Sequence, residues 1–488
     1  MNIVTQNFIN YLMEKAFSNY WNILAKIAYP LSNNPTVFNY GNLLEELQNS
    51  ATIFILEILR SSFEAMDLAY RNRPGRTNDY YVKNTRERTI ITLFGPVTYM
   101  RTIYINRHDG SYYCHVDEQL GLTPYDTYAP CVKARAAALY ANHNSMIKVG
   151  KILGEEIFCL FSLSKRGEDY AIPRQTIQNM IKDMGLVRTG FKKKKVTPKT
   201  IYIMADEKWI PLQEFGMKDK KMKVMCKEVV IFEGIENAYK TSNLEHFQRH
   251  RLIGKTRIMA PESQIWESVE EALYQLYDVE KIECIELMGD GANWIKAGVN
   301  ELTNSSYEIK YSLDEFHLNQ ALLRAAPDKE DREELHKLIY EENDKKGFIE
   351  ACKSLTNKEG ANVEKIEKNM NYILNNWRSI IRRIKEVSVP CAMEGSICHD
   401  ICNSFTSVPK AYNRKNIPIY IKNREHYLNG VHMTHLFFSA MDKKKEDDNT
   451  VDLSDTYIYD SSPVSNDYKQ PAFIREIAHP KHAGFKYI

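Results

Sequence analysis

The sequence predicts an α/β core interrupted by a helical insertion and preceded by helical and β-hairpin regions. Three observations carry this. Between residues 200 and 314 short apolar runs alternate with segments of helical period. From His317 to Val389 the period is helical throughout, with few Gly or Pro residues. Around Thr89–Ile105 the chain switches to Ile/Thr/Val/Tyr-rich strand composition. A length of 488 residues exceeds one ordinary core and sets a prior of about three domains.

Residues 1 to about 75 read as helices, with Leu44, Leu47, Ala51, Ile55 and Ile58 at helical spacing and Asn42 and Glu45 placed as a capping pair. Thr89–Ile105 reads as two strands with a turn at Gly95-Pro96. Residues 131–186 return to helix. Within them Pro173 suits a first turn, and Ile177, Ile181 and Met184 form an apolar stripe. The opposite face presents Arg174, Gln175, Gln178, Asn179 and Lys182. Those side-chain types read base edges and phosphates on the second helix of a helix-turn-helix, and they equally suit a solvated polar face.

A basic connector follows, with Lys192, Lys193, Lys194 and Lys195 in a row. Residues 180–230 hold 13 Lys/Arg against 6 Asp/Glu, a local net of +7 in a chain whose total is +2. The run is either a solvated linker or a surface that tracks phosphates.

Thr200–Asp206, Lys227–Gly234 and Arg257–Ala260 read as strands, and Ser263–Asp278 as a helix with Ile265, Val269, Ala272 and Leu276 on one face. Ile282–Asp290 and Tyr307–Asp314 are further strands around a helix at Trp294–Leu302. Three strands, a helix, a strand, a helix and a strand is the order of an RNase H-like core. The Lys/Asp/Glu alternation of Asp442–Asp455 reads as an exposed loop. The divisions expected are 1–130 (helices and hairpin), 131–190 (helix-turn-helix), 191–199 (basic linker), 200–317 (first part of the α/β core), 318–389 (helical insertion), 390–412 (returning helix) and 413–488 (C-terminal region).

Several classes are excluded. Nine cysteines without tight spacing make no disulfide framework and point to reduced thiols. No secretory signal and no apolar run of membrane-spanning length is present, so a soluble, cytoplasmic protein is expected. There is no P-loop, dinucleotide fingerprint or nucleophile elbow. Cys391, Cys398, Cys402 and His399 have poor spacing for tetrahedral zinc.

Carboxylates at strand ends carry the chemistry. Asp206 closes Ile201–Ala205; period-2 alternation sends Asp206 and Glu207 to opposite faces, and Ala205 shares the apolar face with Ile201 and Ile203. Asp290 closes a second strand, and Gly291 permits close backbone approach. Asp314 ends a third and opens the helix bearing His317. Glu394 stands where a helix returns after the insertion; Asp400 lies roughly 240° around that helix and cannot face the same point. Converging acids suit two Mg²⁺ ions about 4 Å apart, with Mn²⁺ as a substitute, in phosphodiester chemistry. Singly, each residue also fits a turn, a helix cap or a first-turn acid.

The strings IYIMADEKWIPLQ, MGDGANWIK, SLDEFHLNQAL and EGSICHDICNSFTSVPKAY, in that order, resemble a family of insertion-sequence transposases of Gram-positive bacteria formerly filed as an uncharacterised protein family. The FGPVTYMRTIYI and DEQLGL stretches extend the resemblance over most of the chain. It implies a DDE transposase, Mutator-like in layout, with an RNase H-like domain in which Asp206, Asp290 and Glu394 are catalytic and hold the metals. Asp314 and His317 would occupy the family's Asp-x-x-His motif in a supporting role. The resemblance further implies double-stranded DNA as partner, both terminal inverted repeats and target, and a homo-oligomer on paired ends, without membrane association. A nuclease or resolvase that cuts without joining, or an inactive DNA-binding derivative, would carry the same fold.

Overall fold

The computed structural model describes residues 36–158, 171–215, 221–237, 250–261, 264–407, 410–443 and 450–451. The helices expected before residue 36 and most of the loop expected at 442–455 lie outside them. Helix α1 (Val37–Arg71) packs on a hairpin of β1 (Tyr80–Thr92) and β2 (Gly95–Asn106). The buried Asp67 pins it there, accepting hydrogen bonds from Thr102 N (2.9 Å) and Thr102 Oγ1 (2.6 Å). Because α1 starts at Val37, Asn42 and Glu45 lie within it and do not cap it. The hairpin turns at Leu93-Phe94, not at Gly95-Pro96, which open β2 opposite Thr92 and Ile91. Thr92 Oγ1 closes that turn, donating to Gly95 O and accepting from Phe94 N.

Helices α2 (Pro130–His143), α3 (Met146–Phe158) and α4 (Arg174–Met184) pack on one another. On α4 the stripe Ile177, Ile181 and Met184 is buried as its spacing predicts, joined by Met180. The tight turn is between α2 and α3, where Asn144 takes φ 48°. Residues 159–170, within the expected helix-turn-helix region, lie outside the described residues.

The core is a mixed five-stranded sheet of β3 (Thr200–Phe215), β4 (Lys221–Phe232), β5 (Thr256–Pro261), β6 (Cys284–Gly289) and β7 (Glu308–Leu313). Its order is β7-β6-β3-β4-β5. The β7, β6 and β3 strands are parallel; β4 is antiparallel to β3 and β5 antiparallel to β4. On one face Ile201, Ile203 and Ala205 pack against α5 (Trp266–Leu276) and α6 (Asn293–Glu301). Met204, Val230 and Met288 turn to the other face, toward α2–α4 and the C-terminal helices. β3 does not end at Asp206. Its parallel neighbour β6 ends opposite Ala205, but β4 continues to pair with it to Phe215.

The helical run after β7 is five helices, α7 (Glu315–Ala325), α8 (Lys329–Tyr340), α9 (Lys345–Thr356), α10 (Val363–Asn375) and α11 (Trp377–Glu386), around a core of their own. N-caps begin four of its helices: the side chains of Asp314, Asp328, Asp344 and Asn362 each accept a backbone N–H of the helix they begin. The chain then returns to the sheet as α12 (Met393–Ile397), which runs on as a π-helix over Cys398–Thr406. Two further helices, α13 (Ile417–Leu428) and α14 (Met433–Lys443), occupy the region where the sequence signal is weak. Among the described residues no helix is long and apolar enough to cross a membrane.

One contact tests the packing of the helical face. A Cβ on Gly298 of α6 would sit 2.5 Å from the Trp266 ring, which is 3% exposed and held by its Nε1–H to Trp294 O at 2.7 Å. Gly298→Ala should therefore overpack the interface by about 1–3 kcal/mol. Urea unfolding should show a lower midpoint at unchanged slope; an unchanged midpoint would show that the ring yields.

Candidate active site

Strand register builds the site. Gly289 lies opposite both Ala205 and Leu313, so the next residue on each of three adjacent parallel strands is an aspartate: Asp206, Asp290 and Asp314. At Asp206 the sheet loses its parallel partner and opens. Period-2 alternation puts Asp206 on the Met204 face, opposite the one holding Ala205.

Each aspartate is fixed by backbone donors. Asp206 Oδ1 accepts Glu207 N at 2.7 Å. Asp290 Oδ1 accepts Ala292 N at 2.8 Å across Gly291, whose φ of +92° a side chain would strain. Asp314, 3% exposed, caps α7 through Phe316 N (3.1 Å) and takes His317 Nδ1 on its other oxygen at 3.2 Å. That leaves His317 Nε2 as the available nitrogen. Asp314 is thus the helix cap its position allowed, and also the residue that orients His317.

Glu394 arrives on α12. Met393, Ile397, Ile401 and Phe405 all join the core beneath the sheet's Met204 face, and Ala392 N lies 3.1 Å from Met204 Sδ. A strict four-residue spacing drifts about 40° per step on an α-helix. The wider π winding from Cys398 takes up that drift and keeps the ridge on the sheet; such segments recur at functional sites.

The result is a group: ligand atoms of Asp206, His317 and Glu394 all lie within 4.8 Å of one another. Asp290 stands outside that group, but its charge is felt by both Asp206 and His317. Burial, then the neighbouring Asp290, pushes Asp206 up to about 7, against the opposing Glu207 N–H. His317 is raised despite its burial, by its hydrogen bond to Asp314 and by the charges of Asp314, Asp206 and Asp290. A carboxyl driven toward its protonated form by burial, and further by a neighbouring carboxylate, is what a divalent cation would relieve, and the oxygen-rich donor set suits a hard one. Asp400 lies apart from Glu394's group, 3% exposed, with Arg257 Nε at 2.5 Å and Lys255 Nζ at 3.8 Å. Cys391, Cys398, Cys402 and His399 are outside the group as well.

The other expected residues lie away from the acids. Arg174, Gln175, Asn179 and Lys182 are exposed on α4. Gln178 is half-buried with its Nε2 donating to Tyr420 Oη at 3.4 Å; with Arg174, Tyr412 and Gln213 it lines a cavity of about 400 Å³. Lys192, Lys193 and Lys195 are exposed, and Lys194 lies 4.0 Å from Glu233. This connector runs past the end of α5 into Thr200, about 20 Å back along β3 from Asp206 at 3.3 Å per residue.

Sequence reasoning missed Glu228, which pairs with Asp206 across β4 and is fully buried. Burial and then Asp400 push its carboxyl well above the ordinary range. An acid inside the apolar run Glu228–Phe232 was the available signal. It also missed Tyr372, whose hydroxyl donates to Asp290 O at 2.5 Å, a contact between the insertion and the strand end that no local pattern reveals.

Residues 35–444 match the family described as Uncharacterised protein family (UPF0236). Two curated UPF0236 proteins of Caldanaerobacter subterraneus subsp. tengcongensis are similar over 380 residues. One is 28% identical, over 77% of this chain and 74% of its own. The other is 29% identical, over 77% and 75%. Among solved structures the chain is similar to the Drosophila P element transposase strand transfer complex, with a TM-score of 0.22 and 13% identity, over 67% of this chain and 84% of that one.

The Asp206 shift has a stability consequence. Below the unfolded value of about 4 the carboxyl is protonated in both states and costs nothing. As pH rises toward 7 the unfolded chain releases the proton and the folded one keeps it, so stability falls, by up to about 4 kcal/mol, and then stays level. Asp206→Asn in metal-free protein should therefore raise Tm by a few degrees at pH 8 and leave it nearly unchanged at pH 4.5. Equal shifts at both pH values would count against a raised Asp206.

Proposed function

The chain belongs to the uncharacterised protein family UPF0236, and we propose that it is a DDE transposase that cleaves DNA at the ends of a mobile element and joins them to target DNA. The observation that carries this is the in-register row of Asp206, Asp290 and Asp314 on adjacent parallel strands, with Glu394 returning over it after a helical insertion. The strand order, three antiparallel strands extended by two parallel ones, is that of RNase H-like cores and supports the same reading.

In this reading Asp206, Asp290 and Glu394 would hold two Mg²⁺ ions, or Mn²⁺ in their place, and the ions would supply charge stabilisation in phosphodiester chemistry. The remaining work falls to the chain. Backbone N–H groups of Glu207 and Ala292 aim the two aspartates. Asp314 holds His317 by Nδ1 and, with the neighbouring aspartates, favours its charged form, which leaves Nε2 placed to donate to the departing 3′ oxygen. In the first step water attacks the phosphorus at the element end, the P–O3′ bond breaks, and a 3′-hydroxyl is freed. In the second that hydroxyl attacks a target phosphodiester and displaces the target's 3′ oxygen, with no covalent protein intermediate. The α4 face (Arg174, Gln175, Gln178, Asn179, Lys182) and Lys192–Lys195 would grip the terminal repeats on either side of the acids, and paired ends would bring two copies together.

The test uses a duplex carrying the repeats that flank the gene, with Mg²⁺. Asp206→Asn and Asp290→Asn should each lower cleavage and strand transfer at least about 100-fold while leaving DNA binding near wild type, and Asp314→Asn should cost about 10–100-fold. Strand transfer retained by Asp290→Ala would remove that residue from the mechanism. Cleavage without joining would make the protein a nuclease or resolvase.

A further inference from the structure

Where α11 crosses the edge of the sheet, it forms one wall of a cleft of about 980 Å³ whose other walls are β7 and α6. The α11 sequence explains its lining. Trp377, Ile380, Ile381 and Ile384 enter the core of the insertion, which leaves Arg378, Arg382 and Lys385, at i, i+4 and i+7, along the cleft. Lys296 of α6 and Lys310 of β7 also line it. Two of these five cations are committed, Arg382 to Glu286 at 2.5 Å and Lys310 to Glu308 at 3.3 Å. Lys296, Arg378 and Lys385 have no ion pair among the described residues, and only Glu308 and Glu386 offset them in the lining.

Asn376 links the lining of the cleft to the strand end that carries Asp290. Asn376, which lines it, is 4% exposed, and its Oδ1 has no hydrogen-bond partner among the described residues. That oxygen lies over Gly291: a Cβ there would be 2.9 Å from it. Gly291 follows Asp290, so a buried acceptor in need of a donor stands one residue from the aspartate, in the space a side chain at position 291 would fill.

We propose that this cleft binds the sugar-phosphate backbone of a DNA strand and leads it to Asp290. The proposal rests on the reading of the acids given above. The cationic stripe rises about 10 Å over seven helical residues, and a strand of duplex DNA carries one charge per about 3.4 Å of axis. The stripe's two uncommitted cations, Arg378 and Lys385, thus stand far enough apart to meet separate phosphates of one strand, more than a single small anion offers. Phosphates give Asn376 Oδ1 no donor; a base amino group does.

The experiment measures binding of the full chain, in EDTA, to a fluorescein-labelled mixed-sequence duplex across a salt series. Arg378→Gln/Lys385→Gln should weaken binding about tenfold or more in 0.1 M salt and reduce the slope of log K against log salt by about 1.8. Lys296→Gln, on α6, should independently reduce it by about 0.9, and the charge-preserving Arg378→Lys/Lys385→Arg should leave it unchanged. Wild-type affinity and slope in both Gln variants would overturn the proposal, as would loss of binding to duplex RNA of the same length with DNA binding intact. Nicking with Mg²⁺ is scored separately. Slope loss without any wild-type nicking would keep the cleft and remove the transposase reading; nicking with unchanged slopes would do the reverse.

Discussion

The parallel register that aligns Ala205, Gly289 and Leu313 is the constraint on which the site depends. It delivers three carboxylates side by side at the one place where β3 loses a neighbour and β4 alone carries on. The sheet can hold such a row only because each acid is given a distinct relief. Asp314 caps a helix and binds an imidazole, Asp290 closes a turn, and Asp206 is pushed toward its protonated form. Burial of a carboxyl beside a second one at a strand end is a cost that a cation would offset.

The insertion matters because of how it rejoins the sheet. Its five helices have their own core, yet Tyr372 reaches Asp290 O and Asn376 reaches over Gly291. The chain then lays Met393, Ile397, Ile401 and Phe405 against the sheet, and Glu394 comes to Asp206 from the side opposite α5 and α6. The π winding beyond Cys398 belongs to this placement, since it keeps one apolar ridge seated while Asp400 turns inward to Arg257.

Local pattern made much of this legible. The apolar stripe of α5, the burial of Ile177, Ile181 and Met184, the strands ending before Asp290 and Asp314, and the choice of face for Asp206 all follow from period and composition, because burial on one face imposes it. Boundaries were less legible where side chains, not breakers, set them. Asp328, Asp344 and Asn362 divide a run that reads as continuous helix, and Thr92 moves a turn off Gly95-Pro96. The strand expected to close at Asp206 continues to Phe215 because β4 pairs with it.

The sequence by itself determined which residues have the chemistry: aspartates after apolar strands, a glutamate after a long helical interval, a histidine one turn beyond Asp314. Tertiary structure alone decided which of them meet. Register set Asp206 beside Glu228, the return of α12 brought Glu394 within reach of His317, and α11 turned Arg378, Arg382 and Lys385 toward a cleft that Asn376 also lines. The reason is physical: residue type and period are fixed by neighbours a few positions away, whereas convergence depends on pairing and packing between segments more than a hundred residues apart.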